Sequence, residues 1–151
     1  MKKLLIATSI ALLASSAWAQ KSPSGNTGFD GLDKNRDGYL SKEEIAGDKE
    51  MSKRFEKFDA NKDGRWTLDD FIKAHKDNDG RIAADSAITT KVKTSLLTEK
   101  GIPSTAISVE TYEGIVQLSG FVDNAATKEK AGKVASGVSG VKSVKNNLAV
   151  K

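Results

Sequence analysis

Two twelve-residue segments of the chain carry oxygen-bearing side chains at alternate positions around a glycine. The first is DKNRDGYLSKEE, residues 33–44, and the second is DANKDGRWTLDD, residues 59–70. Gly38 and Gly64 stand sixth in these segments, where the chain can turn sharply with a positive φ. Carboxylate, amide and hydroxyl oxygens at this spacing suit a hard cation such as Ca²⁺. The repeat therefore predicts two metal-binding loops.

The first segment matches the EF-hand loop, whose ligands stand at positions 1, 3, 5, 7, 9 and 12. All six positions carry a suitable donor. The predicted ligands are Asp33, Asn35, Asp37, the main-chain carbonyl of Tyr39, Ser41 through a water molecule, and Glu44. A glutamate at the last position can reach the ion with both carboxylate oxygens.

The second segment departs from the pattern only at its last position. Its predicted ligands are Asp59, Asn61, Asp63, the main-chain carbonyl of Arg65, Thr67 and Asp70. Aspartate is one methylene shorter than glutamate, so Asp70 is expected to reach the ion with one oxygen or to pull the following helix inward. We therefore expect two Ca²⁺ sites, of which the second binds more weakly and discriminates less against Mg²⁺.

The residues around the loops support this interpretation. Met51, Phe55 and Phe58 recur at the i, i+4, i+7 spacing of a helix. Leu40 and Trp66 occupy the eighth positions and are expected to be buried together across a short backbone bridge. Residues 29–75 resemble the compact EF-hand pairs of bacterial secreted proteins.

A third acidic stretch, residues 75–86, is a weaker repeat. With Gly80 as the sixth position, it lacks the first and last carboxylates. We interpret it as a degenerate loop or a plain turn, and His75 as a solvated residue at a helix end. Residues 76–84 are accordingly predicted to be a linker.

Composition limits the classes of function. The chain has 151 residues and no cysteine, which excludes disulfides, thiolate zinc sites and a cysteine nucleophile. A single histidine makes a catalytic triad or a histidine-rich metal site improbable, and the carboxylates are assigned to the loops. We therefore predict two small domains and no enzymatic activity.

The first 19 residues have the pattern of a signal peptide. Two lysines precede an apolar run, and Ala17-Trp18-Ala19 fits the A-x-A cleavage pattern. The alternative is an uncleaved membrane anchor, for which the apolar run is short. Cleavage would leave 22 basic and 20 acidic residues, a balance that does not favour nucleic-acid binding. We expect a periplasmic protein, with residues 20–28 as a flexible linker.

The second half changes to alternating valine-rich segments. A helix carrying Ile88 and Val92 is predicted to begin with Asp85 as its N-cap. Two strands, a helix and a last strand follow, with a bulge or turn near 146–147. The strand motif VQLSGFV, residues 116–122, and the ending GVKSVKNNL, residues 140–148, closely resemble a BON domain.

The resemblance spans about residues 84–151 and implies an αββαβ fold with a role near the membrane or cell envelope. BON domains occur in osmotically induced periplasmic proteins, phospholipid-associated envelope proteins and secretins. Six lysines are candidates for contact with anionic lipid headgroups: Lys91, Lys93, Lys100, Lys128, Lys130 and Lys133. The alternative for each of them is an ordinary solvated helix face.

Together these features predict an α+β protein of two small domains, an all-α EF-hand pair at 29–75 and an αββαβ BON domain at 85–151. The expected function is that of a secreted, stress-related calcium-binding protein whose BON module associates with the envelope or with phospholipid membrane. The alternative is a calcium-stabilised protein–protein interaction module without lipid binding. Expected partners are calcium, and either anionic phospholipid or an envelope protein.

Overall fold

The computed structural model describes residues 24–151, so the predicted signal peptide lies outside the described residues. The helices are α1 (Thr27–Leu32), α2 (Lys42–Ile45), α3 (Lys49–Phe58), α4 (Leu68–Thr98) and α5 (Ala125–Ser136), with a 3₁₀ helix at Ser104–Ala106. The strands are β1 (Leu40–Ser41), β2 (Arg65–Trp66), β3 (Ile107–Tyr112), β4 (Ile115–Val122) and β5 (Ser143–Val150).

The N-terminal helices begin at side chains that cap them. Asn26, Ser41 and Asp48 each accept a hydrogen bond from the first turn of the helix that follows. Helix α1 therefore starts at Thr27, so the prediction of a linker as far as residue 28 is wrong at its last two residues. Between the helices, β1 pairs antiparallel with β2 and places Leu40 opposite Trp66, as expected.

The N-terminal core forms where these elements meet. Its buried members are Phe29, Leu40, Ile45, Met51, Phe55, Trp66, Phe71 and Ala74. The Phe55 and Trp66 rings stack with centroids 5.1 Å apart, and the Trp66 indole N–H donates to the Phe55 carbonyl at 2.9 Å. The aromatic stack thereby joins α3 to β2.

The C-terminal sheet has the order β3-β4-β5, with β3 antiparallel and β5 parallel to β4. Alternate residues of β4, namely Val116, Leu118 and Val122, are buried against α4 and α5. Strand β5 pairs without interruption from Ser143 to Val150, so the predicted bulge or turn near 146–147 is wrong. The Asn146 side chain instead donates to the Lys128 carbonyl of α5 at 2.7 Å.

Helix α4 is one continuous helix of 31 residues. The linker predicted at 76–84 and the turn predicted at 75–86 are therefore helical, and Asp85 lies inside the helix rather than at its N-cap. His75 is likewise inside the helix, where its ring packs on Phe71 at 4.3 Å between centroids. No proline interrupts this stretch, and the cost of one glycine is only about 1 kcal/mol.

Both cores hold α4 in place. Phe71 and Ala74 belong to the N-terminal core, whereas Ile88, Val92 and Leu96 belong to the C-terminal core. Burial at both ends outweighs the local turn signal between them. Within the described range 24–151, no helix combines the length and the apolar character needed to cross a membrane.

Candidate metal-binding loops and their junction with the C-terminal domain

The first loop is organised by its own carboxylates. Asp33 lies just after α1 and accepts hydrogen bonds from the amides of Asp37 at 3.2 Å and Gly38 at 2.9 Å. Asn35 Oδ1 accepts from the Asp37 amide at 2.9 Å, and Asp37 Oδ1 accepts from the Tyr39 amide at 2.9 Å. The bonds from positions 3 and 5 span two residues and are Asx turns, whereas the bonds to Asp33 span four and five residues. Together they curl the backbone around the side chains of positions 1, 3 and 5.

The second loop repeats the same bonds with similar lengths. Asp59 accepts from the amides of Asp63 at 3.2 Å and Gly64 at 2.9 Å. Asn61 accepts from the Asp63 amide at 3.3 Å, and Asp63 accepts from the Arg65 amide at 2.9 Å. Asp33 and Asp59 are both only 8% exposed. Two loops separated in the chain thus share one local structure.

The backbone of each loop takes a positive φ at its fourth and sixth positions. These positions are Arg36 and Gly38 in the first loop, with φ of 57° and 80°. In the second loop they are Lys62 and Gly64, with φ of 57° and 77°. The left-handed conformation is costly for residues other than glycine, so Arg36 and Lys62 hold it against a local penalty.

The carboxylate that closes the first loop reaches back across it. Glu44 Oε2 accepts from the amide of Ser41 at 2.9 Å, which completes a capping box at the start of α2. Its other oxygen, Oε1, accepts from the amides of Lys34 at 3.0 Å and Asn35 at 3.4 Å. Glu44 therefore joins both ends of the loop.

The second loop lacks this closure. Asp70 Oδ2 accepts from the amide and the hydroxyl of Thr67, at 3.0 and 2.7 Å. The hydrogen bonds of its carboxylate are confined to its own cap, and none reaches the start of the loop at Asp59. The shorter side chain of Asp70 thus leaves the second loop without the closure that Glu44 gives the first, and the effect on metal affinity stays a prediction.

The donor chemistry of the loops decides which ion they can hold. Across residues 24–151, no three carboxylate or imidazole groups are gathered so that they could hold an ion by themselves. Each predicted ligand set instead mixes three carboxylates with an amide, a hydroxyl and a carbonyl oxygen. Such an all-oxygen set fits Ca²⁺ rather than a transition metal. A carboxylate oxygen that accepts one N–H retains a further lone pair for a metal.

The six lysines proposed for lipid contact do not share one surface. Lys91 and Lys133 line a groove of about 690 Å³ between α4 and α5. Lys93 is two residues from Lys91 and hence about 200° around the helix. The Lys130 ammonium is paired with Glu99 at 2.6 Å and also donates to the Lys100 carbonyl. The structure thus brings Lys91 and Lys133 together at the groove, and separately Lys130 against the backbone of Lys100.

A cluster of charged side chains that the sequence analysis missed lies between α3 and α4. Arg54, whose side chain is 7% exposed, bonds Glu50 Oε2 at 3.2 Å and Asp77 Oδ2 at 3.3 Å. Hydrogen bonds from Lys53 and Lys57 hold the pKa values of Glu50 and Asp77, respectively, below their usual range. The i, i+4 spacing of Glu50 and Arg54 was the available sequence signal.

The cluster extends to the C-terminal sheet through Arg81 and Asp85, which are also four residues apart. Arg81 pairs with Glu50 at 3.4 Å and with Asp85 at 3.0 Å. Asp85 in turn accepts hydrogen bonds from the amides of Glu113 at 2.9 Å and Gly114 at 2.8 Å, in the β3–β4 turn. A charged chain therefore runs from α3 to the sheet.

Comparison with known proteins bears on the C-terminal half. The family described as BON domain matches residues 84–151. Osmotically-inducible protein Y of Escherichia coli (strain K12) is 48% identical over 69 residues, which are 46% of this chain and 34% of that relative. The chain thus aligns with about a third of that relative's length. The BON domain is confirmed over these residues, whereas the EF-hand pair, which the family match does not cover, stays a prediction.

Proposed function

We propose that this chain is a periplasmic calcium-binding protein whose BON domain associates with the cell envelope during osmotic stress. Residues 29–75 act as an EF-hand pair that binds Ca²⁺ in both loops, and the second loop also accepts Mg²⁺. Similarity to a relative named as osmotically inducible supports the stress role. The signal-peptide pattern of residues 1–19 supports export to the periplasm.

One observation carries the calcium proposal. Both loops form the same hydrogen bonds from loop amides to the side chains of positions 1, 3 and 5, beginning at Asp33 and Asp59. The β1–β2 pairing then places the loops side by side, with Leu40 opposite Trp66. Because the backbone of each loop is already curled around the side chains of positions 1, 3 and 5, less of it remains to be ordered when an ion binds.

Calorimetric titration with Ca²⁺ and then Mg²⁺ tests the proposal. We expect two binding events, with dissociation constants of about 0.1 to 1 mM, as in other extracellular calcium modules. Asp33→Asn should abolish or weaken one event and Asp59→Asn the other. An exposed change of the same kind, Asp69→Asn, is the control because Asp69 pairs only with Lys73 at the surface. The absence of binding heat at 10 mM Ca²⁺, about tenfold above that range, would reject the metal sites.

Association with lipid is tested separately. Vesicles rich in an anionic phospholipid should sediment the protein, and neutral vesicles should not. Because Lys91 and Lys133 face one groove, Lys91→Ala with Lys133→Ala should weaken sedimentation, whereas Lys93→Ala should have little effect. Equal sedimentation by both kinds of vesicle would contradict recognition of anionic headgroups.

The second candidate function is a calcium-stabilised module that binds another protein without lipid. The dispersal of the six lysines and the pairing of Lys130 with Glu99 favour it. In this case Ca²⁺ raises the melting temperature by mass action but leaves vesicle binding undetected. Thermal unfolding and sedimentation on the same sample separate the two candidates.

A further inference from the structure

We propose that the charged chain Glu50–Arg81–Asp85 transmits metal occupancy of the loops to the β3–β4 turn of the BON domain. This inference rests on the proposed calcium binding, and it adds a route by which the ion acts on the other domain. The coupling requires three things. The loops must control the positions of α3 and α4, ion pairs must connect these two helices, and the same ion pairs must hold the β3–β4 turn.

The second loop lies between α3, which contains Glu50, and α4, which contains Arg81 and Asp85. Helix α3 ends at Phe58, directly before Asp59, which is the first predicted ligand. Helix α4 begins at Leu68, so its first turn contains Asp70, the last predicted ligand. An ion bound by both aspartates would hold the end of α3 against the beginning of α4.

Arg54 is the central residue of the ion pairs between α3 and α4. The Arg54 guanidinium is buried and donates to the Glu50 carbonyl at 2.8 Å, in addition to its bonds with the Glu50 and Asp77 carboxylates. These bonds fix the Glu50 carboxylate where Arg81 can pair with it at 3.4 Å. The Arg54 and Arg81 side chains are only 7% and 17% exposed, so these pairs are less screened than a surface ion pair although Glu50 itself is 31% exposed.

Asp85 holds the β3–β4 turn by its backbone. The two amides that donate hydrogen bonds to Asp85 belong to residues with positive φ, 53° at Glu113 and 79° at Gly114. This is the backbone of a tight hairpin turn, in which Glu113 pays a conformational cost that glycine does not. The buried Asp85 carboxylate compensates that cost, and Arg81 orients it through a 3.0 Å bond.

Tyr112 provides a second contact between α3 and the same turn. Its hydroxyl accepts from Lys53 at 2.9 Å and donates to the Glu50 carboxylate at 3.1 Å. Its ring contacts two cations, with the Lys53 ammonium 4.9 Å and the Arg81 guanidinium 4.7 Å from the centroid. The residue that ends β3 is thus bound to α3 by polar and cation–π contacts.

Calcium is expected to stabilise the ion pairs of Arg81 with Glu50 and Asp85 rather than disrupt them. Without the ion, the like-charged carboxylates of each loop repel one another, which loosens the end of α3. With it, the loops hold α3 against α4, and Glu50 remains within reach of Arg81. The amides of Glu113 and Gly114 should then exchange with solvent more slowly.

Amide hydrogen exchange, measured by NMR on the full chain with Ca²⁺ and with chelator, tests this inference. We expect Ca²⁺ to slow exchange at residues 113 and 114 about fivefold, at the low end of usual coupling between sites. Glu50→Gln should remove this response while calorimetry still detects calcium binding. Glu56→Gln, the same change on the same helix at a side chain that is 85% exposed, is the matched control and should retain the response.

Tyr112→Phe serves as a second variant because it removes one hydroxyl without removing the ring. It should reduce the response at residues 113 and 114, and the Ca²⁺ affinity should fall in the same proportion, since coupling between sites is reciprocal. This variant keeps the test decisive if Glu50→Gln disturbs the buried Arg54.

Three results would overturn the coupling. The first is calcium binding with unchanged exchange at residues 113 and 114, and the second is an equal response in the Glu50 and Glu56 variants. If calorimetry shows no calcium binding, the proposed function fails on its own. In that case the contacts of Glu50, Arg81 and Asp85 are tested with chelator present. Glu50→Gln should then speed amide exchange at residues 113 and 114, and an unchanged exchange rate is the third result that overturns the coupling.

Discussion

At the scale of single residues, the two loops differ by one methylene at their last position, which is Glu44 in the first and Asp70 in the second. Glu44 bonds both the cap at Ser41 and the opposite side of its loop at Lys34, whereas Asp70 bonds only Thr67. A side chain that already spans its loop loses less freedom when an ion binds. The two predicted sites should therefore differ in Ca²⁺ affinity because of the residue at position 12.

Asp70→Glu should strengthen calcium binding at the second loop about tenfold, equivalent to about 1.4 kcal/mol. The longer side chain can reach the ion with both oxygens. Calorimetric titration measures the change, and the reciprocal substitution Glu44→Asp is the control, which should weaken the first loop. Unchanged affinity after Asp70→Glu would count against the role assigned to position 12.

Gly120 shows a different constraint on a single residue. Its φ is 126°, and a Cβ atom placed there would lie 2.0 Å from the Ala106 carbonyl oxygen. Backbone, unlike a flexible side chain, cannot easily move away. The close approach of β4 to the chain before β3 therefore requires glycine.

Gly120→Ala should lower the free energy of unfolding of the BON domain by about 3 kcal/mol, from steric overlap and an unfavourable φ. Gly80→Ala is the matched control, because a Cβ at Gly80 meets no atom within 4 Å. Inside helix α4 it should instead add about 1 kcal/mol. Denaturant unfolding measures both, and a tolerated Gly120→Ala would contradict the described packing.

At the scale of elements, the interface of α3 with α4 depends on two carboxylates. Glu50 and Asp77 have lowered pKa values because Lys53 and Lys57 donate hydrogen bonds to their charged forms. A carboxyl whose pKa is lower in the folded than in the unfolded chain stabilises the fold when ionised. Stability from both groups is therefore complete above their ordinary values of 4.5 and 3.8, and it is lost as the pH falls through the lowered values.

Lowering the pH from 6 to about 3 should thus weaken the α3–α4 interface, since it passes below the ordinary pKa values of both carboxyls, from where their stabilisation declines towards the lowered values. The midpoint of denaturant unfolding should fall over this range in the wild type. It should fall less steeply in a variant with Glu50→Gln and Asp77→Asn, which has no such carboxylates to protonate. Equal slopes would show that these groups do not contribute to the pH dependence.

At the scale of the whole molecule, α4 makes the two domains share one element. Its first turns complete the N-terminal core and its last turns complete the C-terminal core. The charged chain beside it adds side-chain contacts from α3 to the β3–β4 turn. The domains should consequently unfold together rather than independently.

Gly80→Pro should separate them. Proline removes a backbone hydrogen bond and clashes with the preceding turn, at a cost of about 3 kcal/mol or more in a helix interior. We expect unfolding in two steps, followed by Trp66 fluorescence for the N-terminal core and by circular dichroism for the whole chain. Gly80→Ala should keep one step, and a single coincident transition in the proline variant would show that α4 does not link the domains.

The sequence by itself determined the local features of both halves. The hydrogen bonds that Asp33 and Asp59 accept join residues four and five positions apart, so their pattern is visible in any twelve-residue window. The alternation of Val116 and Leu118 likewise marks one buried face of a strand. Short-range bonds and side-chain periodicity are encoded where they occur, which is why the sharp turns at Gly38 and Gly64 and the alternation in β4 agree with the structure, whereas metal binding stays a prediction.

Only the tertiary structure decided what happens between the halves. The segment around Gly80 has a local preference for a turn, but burial of Phe71 in one core and of Ile88 in the other makes it helical. The bond from Asp85 to the amide of Gly114 joins residues 29 positions apart. Contacts at such separation depend on how whole elements pack, so neither spacing nor composition indicates them in advance.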